Sequence, residues 1–105
     1  MNDKLRNANL NYLFKAILSL ENMEECSDFF EDLCTASELC EMSKRLEVAK
    51  LLRQNVIYND IAEKTGLSTA TISRVNRCLK YGTDGYLRIL DRLDALEESE
   101  KRGDS

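Results

Sequence analysis

The sequence predicts an all-α protein of about six helices. Three observations lead there. The 105 residues include no proline and four glycines, and these are the residues that punctuate regular structure. Apolar side chains recur every three or four positions along most of the chain, the spacing of a helix face. Two capping boxes, Asn22 with Glu25 and Thr35 with Glu38, mark helix starts, because such side chains satisfy amides that a first turn leaves unpaired.

The length is that of one domain, expected over residues 1–96, with a polar tail at 97–105 that frays. A core of this size is marginal in a single chain, so association is considered from the outset. Residues 4–20 carry Leu5, Leu10, Leu13, Phe14, Ile17, Leu18 and Leu20 at helical spacing. The apolar sector is wide. Two readings are open: an ordinary core helix, or a helix packed against a second subunit. A second helix runs from Met23 to about Leu33, with Cys26, Phe29 and Phe30 on its apolar face and acids on the other. A solvated face explains those acids by default, and a docking surface is the alternative. The third helix, about 36–53, places Leu39, Met42, Leu46, Ala49 and either Leu52 or Val48 on one stripe. Lys44, Arg45, Lys50 and Arg53 lie mostly off it, and Asn55 is a suitable stop.

Residues 60–75, DIAEKTGLSTATISRV, read as the centre of a helix-turn-helix spanning about 58–80. With Tyr58 as the first position, Ile61 faces the core and Ala62 is small where two helices cross. Gly66 sits at the turn, where a left-handed backbone costs least for glycine. Leu67 plugs the turn from below, and Ser68 caps the second helix. Ile72, Val75 and Leu79 bury that helix's inner side. Thr69, Ala70, Ser73, Arg74 and Arg77 then face outward, with Thr71 nearer the edge. Small hydroxylated residues allow close approach to base edges, and threonine and alanine can touch a thymine methyl. A helix N-terminus helps hold a phosphate, and Arg74, Arg77 and Lys80 add positive charge. This is the layout of a recognition helix entering the major groove. The candidate DNA-binding set is Asn59, Ser68, Thr69, Ala70, Thr71, Ser73, Arg74 and Arg77. Beyond it, Gly82 stops the helix. Thr83 or Asp84 starts another, whose apolar face is Tyr86, Leu87, Leu90, Leu93 and Leu96.

The net charge of −4 and pI near 4.9 are at odds with a DNA reader until the charge is mapped. Residues 21–41 hold eight acids and no base, whereas residues 42–90 hold nine bases and four acids. The acidic total conceals a basic middle, and partners respond to local charge more than to the sum.

Other classes fit poorly. There is no histidine, no phosphate-cradling glycine loop, and no serine or cysteine with an evident base, so an enzyme is not expected. Cys26, Cys34, Cys40 and Cys78 have no CxxC spacing and sit beside apolar residues. They read as buried reduced thiols rather than zinc ligands. No metal or cofactor is expected. The N-terminus lacks a secretory pattern, and no long apolar run follows, so a cytoplasmic protein without membrane contact is expected.

The segments TASEL, SKRLEVAKLLRQ and DIAEKTGLSTATISRVNRCLKYG resemble the Trp repressor superfamily, and within it the TrpR-related proteins of the YerC/YecD type. The similarity covers about residues 33–90, and the two N-terminal helices fit the same layout. The resemblance implies an intertwined homodimer of six-helix subunits with one DNA reader each. In the tryptophan-binding repressor the ligand lies beside the reader, between two arginines. Arg74 matches one of these, and the other falls at Lys44 or Arg45. Val75 stands where that repressor has glycine, and Cys78 where it has a serine contacting the ligand. A branched side chain crowds an indole and a thiol is a poorer hydrogen-bond partner, so no tryptophan response is expected. The candidate effector pocket is Lys44, Arg45, Arg74, Val75 and Cys78. Asn59, Thr69, Ala70, Thr71, Ser73 and Arg74 occupy the family's DNA-contact positions. Asn59 replaces an arginine, so the operator need not be shared.

The function expected is thus a homodimeric, sequence-specific DNA-binding transcriptional regulator. Two alternatives remain: a regulator sensing another small molecule, and a helical protein-interaction module using the acidic 21–41 segment.

Overall fold

A computed structural model describes residues 7–103. Among them are six α-helices and no strand: α1 Ala8–Leu18, α2 Met23–Leu33, α3 Ala36–Arg53, α4 Tyr58–Thr65, α5 Thr69–Tyr81 and α6 Gly85–Lys101. They fall into two compact units, one up to Cys40 and one from Glu41.

In the first unit, helix starts follow side-chain chemistry. Asn7 accepts the Leu10 N–H at 2.8 Å and caps α1, so the helix begins later than the residue 4 expected. Leu5 lies outside the described residues. Asn22 accepts the Glu25 N–H at 2.9 Å, and Glu25 reaches back to the Glu21 N–H at 3.0 Å. Thr35 and Glu38 form the full reciprocal box: the Glu38 N–H donates to the Thr35 hydroxyl at 3.1 Å, and the Thr35 N–H to the Glu38 carboxylate at 2.9 Å. The Thr35 backbone N–H, and secondarily its hydroxyl, hold the Glu38 carboxyl below its ordinary value. No residue of α1 or α2 is buried, although both helices carry large apolar side chains. Leu18 and Met23 are each 83% exposed and Tyr12 is 77% exposed.

The second unit has a core. Val48 and Ala49 of α3, Ile61 of α4, Ile72 and Val75 of α5, and Leu90 of α6 are buried together. Val48, Ile61 and Ile72 are fully enclosed, and each such side chain contributes about 1.5–3 kcal/mol. Leu46, Leu52, Leu67, Leu79 and Tyr86 pack around them half-buried. At the end of α3, Asn55 turns left-handed at φ 63°, and the Val56 N–H returns to the Leu51 carbonyl at 3.0 Å. Arg53 ties α3 to α6, donating to Asp91 at 2.6 Å and also pairing with Asp94.

Two expectations need correction. The polar run after Leu96 is helical as far as Lys101, because Glu97, Glu98, Glu100 and Lys101 are good helix formers despite their polarity; residues 104–105 lie outside the described residues. Asp84, one of the two starts expected for α6, is its cap position, with φ +65° and no side-chain capping bond. None of the four cysteines is buried: Cys26 and Cys34 are half-buried, Cys40 and Cys78 are exposed, and none forms a disulfide. An apolar sequence neighbour does not bury a thiol, because successive residues of a helix point to different faces.

Candidate nucleic-acid interface

The α4–α5 unit is built on a short stretch of mutually supporting contacts. Ile61 and Ile72 meet in the core, half-buried Ala62 lets the helices cross, and Leu67 packs beneath the turn. Gly66 has φ +74°, and its N–H donates to the Ala62 carbonyl at 2.8 Å. A Cβ there would meet nothing within 4 Å, so glycine is needed for its backbone alone. Ser68 caps α5 by accepting the Thr71 N–H at 3.2 Å, and its hydroxyl lies 3.1 Å from that of Thr71. The start of α4 differs: Ile57 occupies the cap and offers no side-chain bond.

This core leaves one face of α5 in solvent. Thr69, Ala70, Ser73, Arg74 and Arg77 are exposed, as are Ser68 before them and Asn59 on α4. Thr71 is half-buried, in keeping with its place at the edge. Residues 70, 73, 74 and 77 share one helical stripe, and Lys80 and Tyr81 continue it, both exposed. Arg74, Arg77 and Lys80 make no ion pair among the described residues, in contrast to Arg53. The outward face therefore offers three uncommitted cations beside small hydroxyls. That chemistry suits a phosphate backbone flanking base edges.

The proposed effector residues are only partly brought together. A cavity of about 440 Å³ is lined by Cys78, Gly82, Thr83, Gly85 and Tyr86. Of the expected pocket residues, Cys78 alone lines it. Val75 is 3% exposed and belongs to the core. Lys44 is half-buried and does not line the cavity. Arg45 and Arg74 do not line the cavity either. Burial raises the Tyr86 hydroxyl above its ordinary value, Cys78 raises it further, and the two guanidinium groups partly oppose the rise. Arg45 is held by Glu41 at 2.9 Å, while its Nε is buried without a partner. The Gly82-to-Tyr86 wall was not foreseen. The sequence marks only Gly82, as a helix stop; a Cβ at that position would lie 2.4 Å from the Cys78 carbonyl oxygen, so the position admits only glycine. Among the described residues no cluster of three or more His, Cys, Asp or Glu side chains could hold a metal.

The fold and the exposed α4–α5 unit define a helix-turn-helix protein of the all-α class. Residues 8–94 match the Trp repressor protein family, and the chain belongs to that family of transcription regulators. The chain is 54% identical over 95 residues to YerC of Bacillus subtilis (strain 168), covering 90% of this chain and 91% of that protein. The crystal structure of a TrpR-like protein from Eubacterium eligens ATCC 27750 superposes with a TM-score of 0.84 at 58% identity, over 89% of this chain and 96% of the other. A Staphylococcus aureus structure named for the same repressor matches with a TM-score of 0.83 at 54% identity, over 88% and 92%.

Proposed function

We propose that the protein is a sequence-specific, DNA-binding transcriptional regulator that works as a homodimer in the cytoplasm and does not respond to tryptophan. The observation that carries this reading is the exposed stripe of α5, with Arg74 and Arg77 unpaired beside Thr69, Ala70 and Ser73 on a rigid α4–α5 core. Asn59, Ser68 and Thr71 complete the contact set. Membership of a regulator family supports the same assignment. The functional domain is taken as residues 1–96, with its reader at about 58–80 and 97–105 as its polar extension. Support for a dimer comes from α1 and α2, whose apolar side chains find no burial within one chain. Support for tryptophan independence comes from the resemblance: Val75 stands where the tryptophan-binding relative has glycine, and Cys78, which lines the cavity, where it has serine. No described helix is long and apolar enough to cross a membrane.

The test is capture of purified protein on a random duplex pool at low and moderate salt, with and without tryptophan, followed by sequencing. Recovery of a two-fold symmetric site with half-sites about 10 base pairs apart supports the proposal, and tryptophan should leave the recovery unchanged. No retention at low salt sinks the DNA reading. The cavity beside Cys78 and Tyr86 favours one second reading, a regulator sensing another small molecule. A thermal-shift screen of amino acids and metabolites distinguishes it: no ligand raising the melting temperature counts against a sensor.

A further inference from the structure

Thr65 is the one buried polar residue among the described residues, at 4% exposure, and it ends the first helix of the reader unit. Its hydroxyl donates to the Ile61 carbonyl at 2.8 Å and accepts the Leu67 N–H at 3.3 Å. The two bonds fall on opposite sides of Gly66, the residue at which the chain reverses. The Gly66 N–H has a backbone acceptor in Ala62, whereas the Leu67 N–H has none among the described residues and is bonded to the Thr65 hydroxyl. Leu67 is half-buried against the core, and α5 begins two residues later. Thr65 is too buried to touch a nucleic acid, yet its hydroxyl ties Ile61 on α4 to Leu67 across the turn from which α5 leaves.

We infer that Thr65 is a positioning residue for DNA recognition: its hydroxyl fixes the turn amide of Leu67 and thereby the angle of the reader helix. The inference rests on the DNA-binding reading above. Base-edge hydrogen bonds demand close placement of side chains, whereas phosphate contacts tolerate small shifts. Loss of the hydroxyl therefore acts on discrimination between sequences more than on overall affinity. Valine keeps the shape of threonine but offers neither donor nor acceptor, and an amide left without an acceptor turns toward water.

The experiment compares wild type, Thr65→Val and Thr65→Ser on the site recovered from the duplex pool and on random duplex at one salt concentration. Thr65→Val should lower the ratio of specific to random binding about tenfold and leave random binding within about twofold. Thr65→Ser, which keeps the hydroxyl, should retain most of the ratio. Amide exchange at Leu67 should be slow in wild type and in the serine variant. An unchanged ratio in Thr65→Val overturns the inference, as does a serine variant as poor as the valine one. Fast exchange at Leu67 in the wild type also overturns it, and that measurement stands even where the valine variant does not fold. A wild type that retains no duplex at low salt removes the DNA reading itself and the positioning role with it. A discriminating wild type with an unaffected valine variant removes the positioning role alone.

Discussion

Arg74 is exposed, without an ion pair among the described residues, and on the stripe that faces away from the core. Charge reversal to Glu should weaken binding to specific and random duplex alike, and reduce the slope of log affinity against log salt by about one. Unchanged binding to both would show that Arg74 does not face DNA. Its neighbour Val75 is different in kind, buried at 3% exposure. Val75→Gly removes core methyls and places glycine inside a helix, so it should cost about 2–4 kcal/mol in urea unfolding. A neutral substitution would mean that the side chain bears little on the core. Tyr86 offers a third check. Its hydroxyl is raised above the ordinary 10.0, chiefly by burial. A group with a raised folded-state value contributes stability that is present below the ordinary value and lost as pH rises through the folded one. Stability should therefore fall above about pH 10, and Tyr86→Phe should flatten that decline.

At the scale of elements, the helix starts can be tested through their caps. Ser68→Ala should destabilise α5 by about 1 kcal/mol, read as a lower urea midpoint. The Thr35–Glu38 box carries its own pH dependence. The Glu38 carboxyl is held below its ordinary 4.5 by Thr35, so its contribution is present above that value and is lost as pH falls through the folded-state one. In Glu38→Gln the acid-side decline should be smaller. These caps were legible in the sequence because each is a bond between residues three apart. The turn was legible for the same reason: Ile61, Ala62, Gly66, Leu67, Ile72 and Val75 constrain one another within a short stretch. Long-range features were not. The Arg53 pairs with Asp91 and Asp94 reach across 38 and 41 positions, and no local pattern marks them. The cavity wall at Gly82 and Tyr86 depends on how α6 folds back beside Cys78. At the end of α6 polarity suggests fraying, while Glu97, Glu98, Glu100 and Lys101 favour helix.

At the scale of the whole molecule, the two units differ in what holds them. The unit from Glu41 contains every buried residue among those described, and the unit up to Cys40 contains none. The proposed dimer supplies cover for that apolar surface, and coupling folding to association makes stability depend on concentration. The melting temperature should rise with protein concentration, and sedimentation should report twice the chain mass. A concentration-independent melt with monomeric sedimentation would remove the dimer from the proposed function. Charge is also divided between segments. The eight acids of residues 21–41 and the basic surplus of residues 42–90 are separated along the chain. Raising salt should weaken DNA retention steeply while leaving the apolar association largely intact.

Gly66 and Gly82 look alike on paper and should behave differently under mutational drift. At Gly66 nothing crowds the missing side chain, and only its φ of +74° is demanding; asparagine adopts that conformation at modest cost. At Gly82 any side chain would collide with the backbone carbonyl of Cys78. In a library selected only for folded protein, the first position should accumulate asparagine and the second should remain glycine.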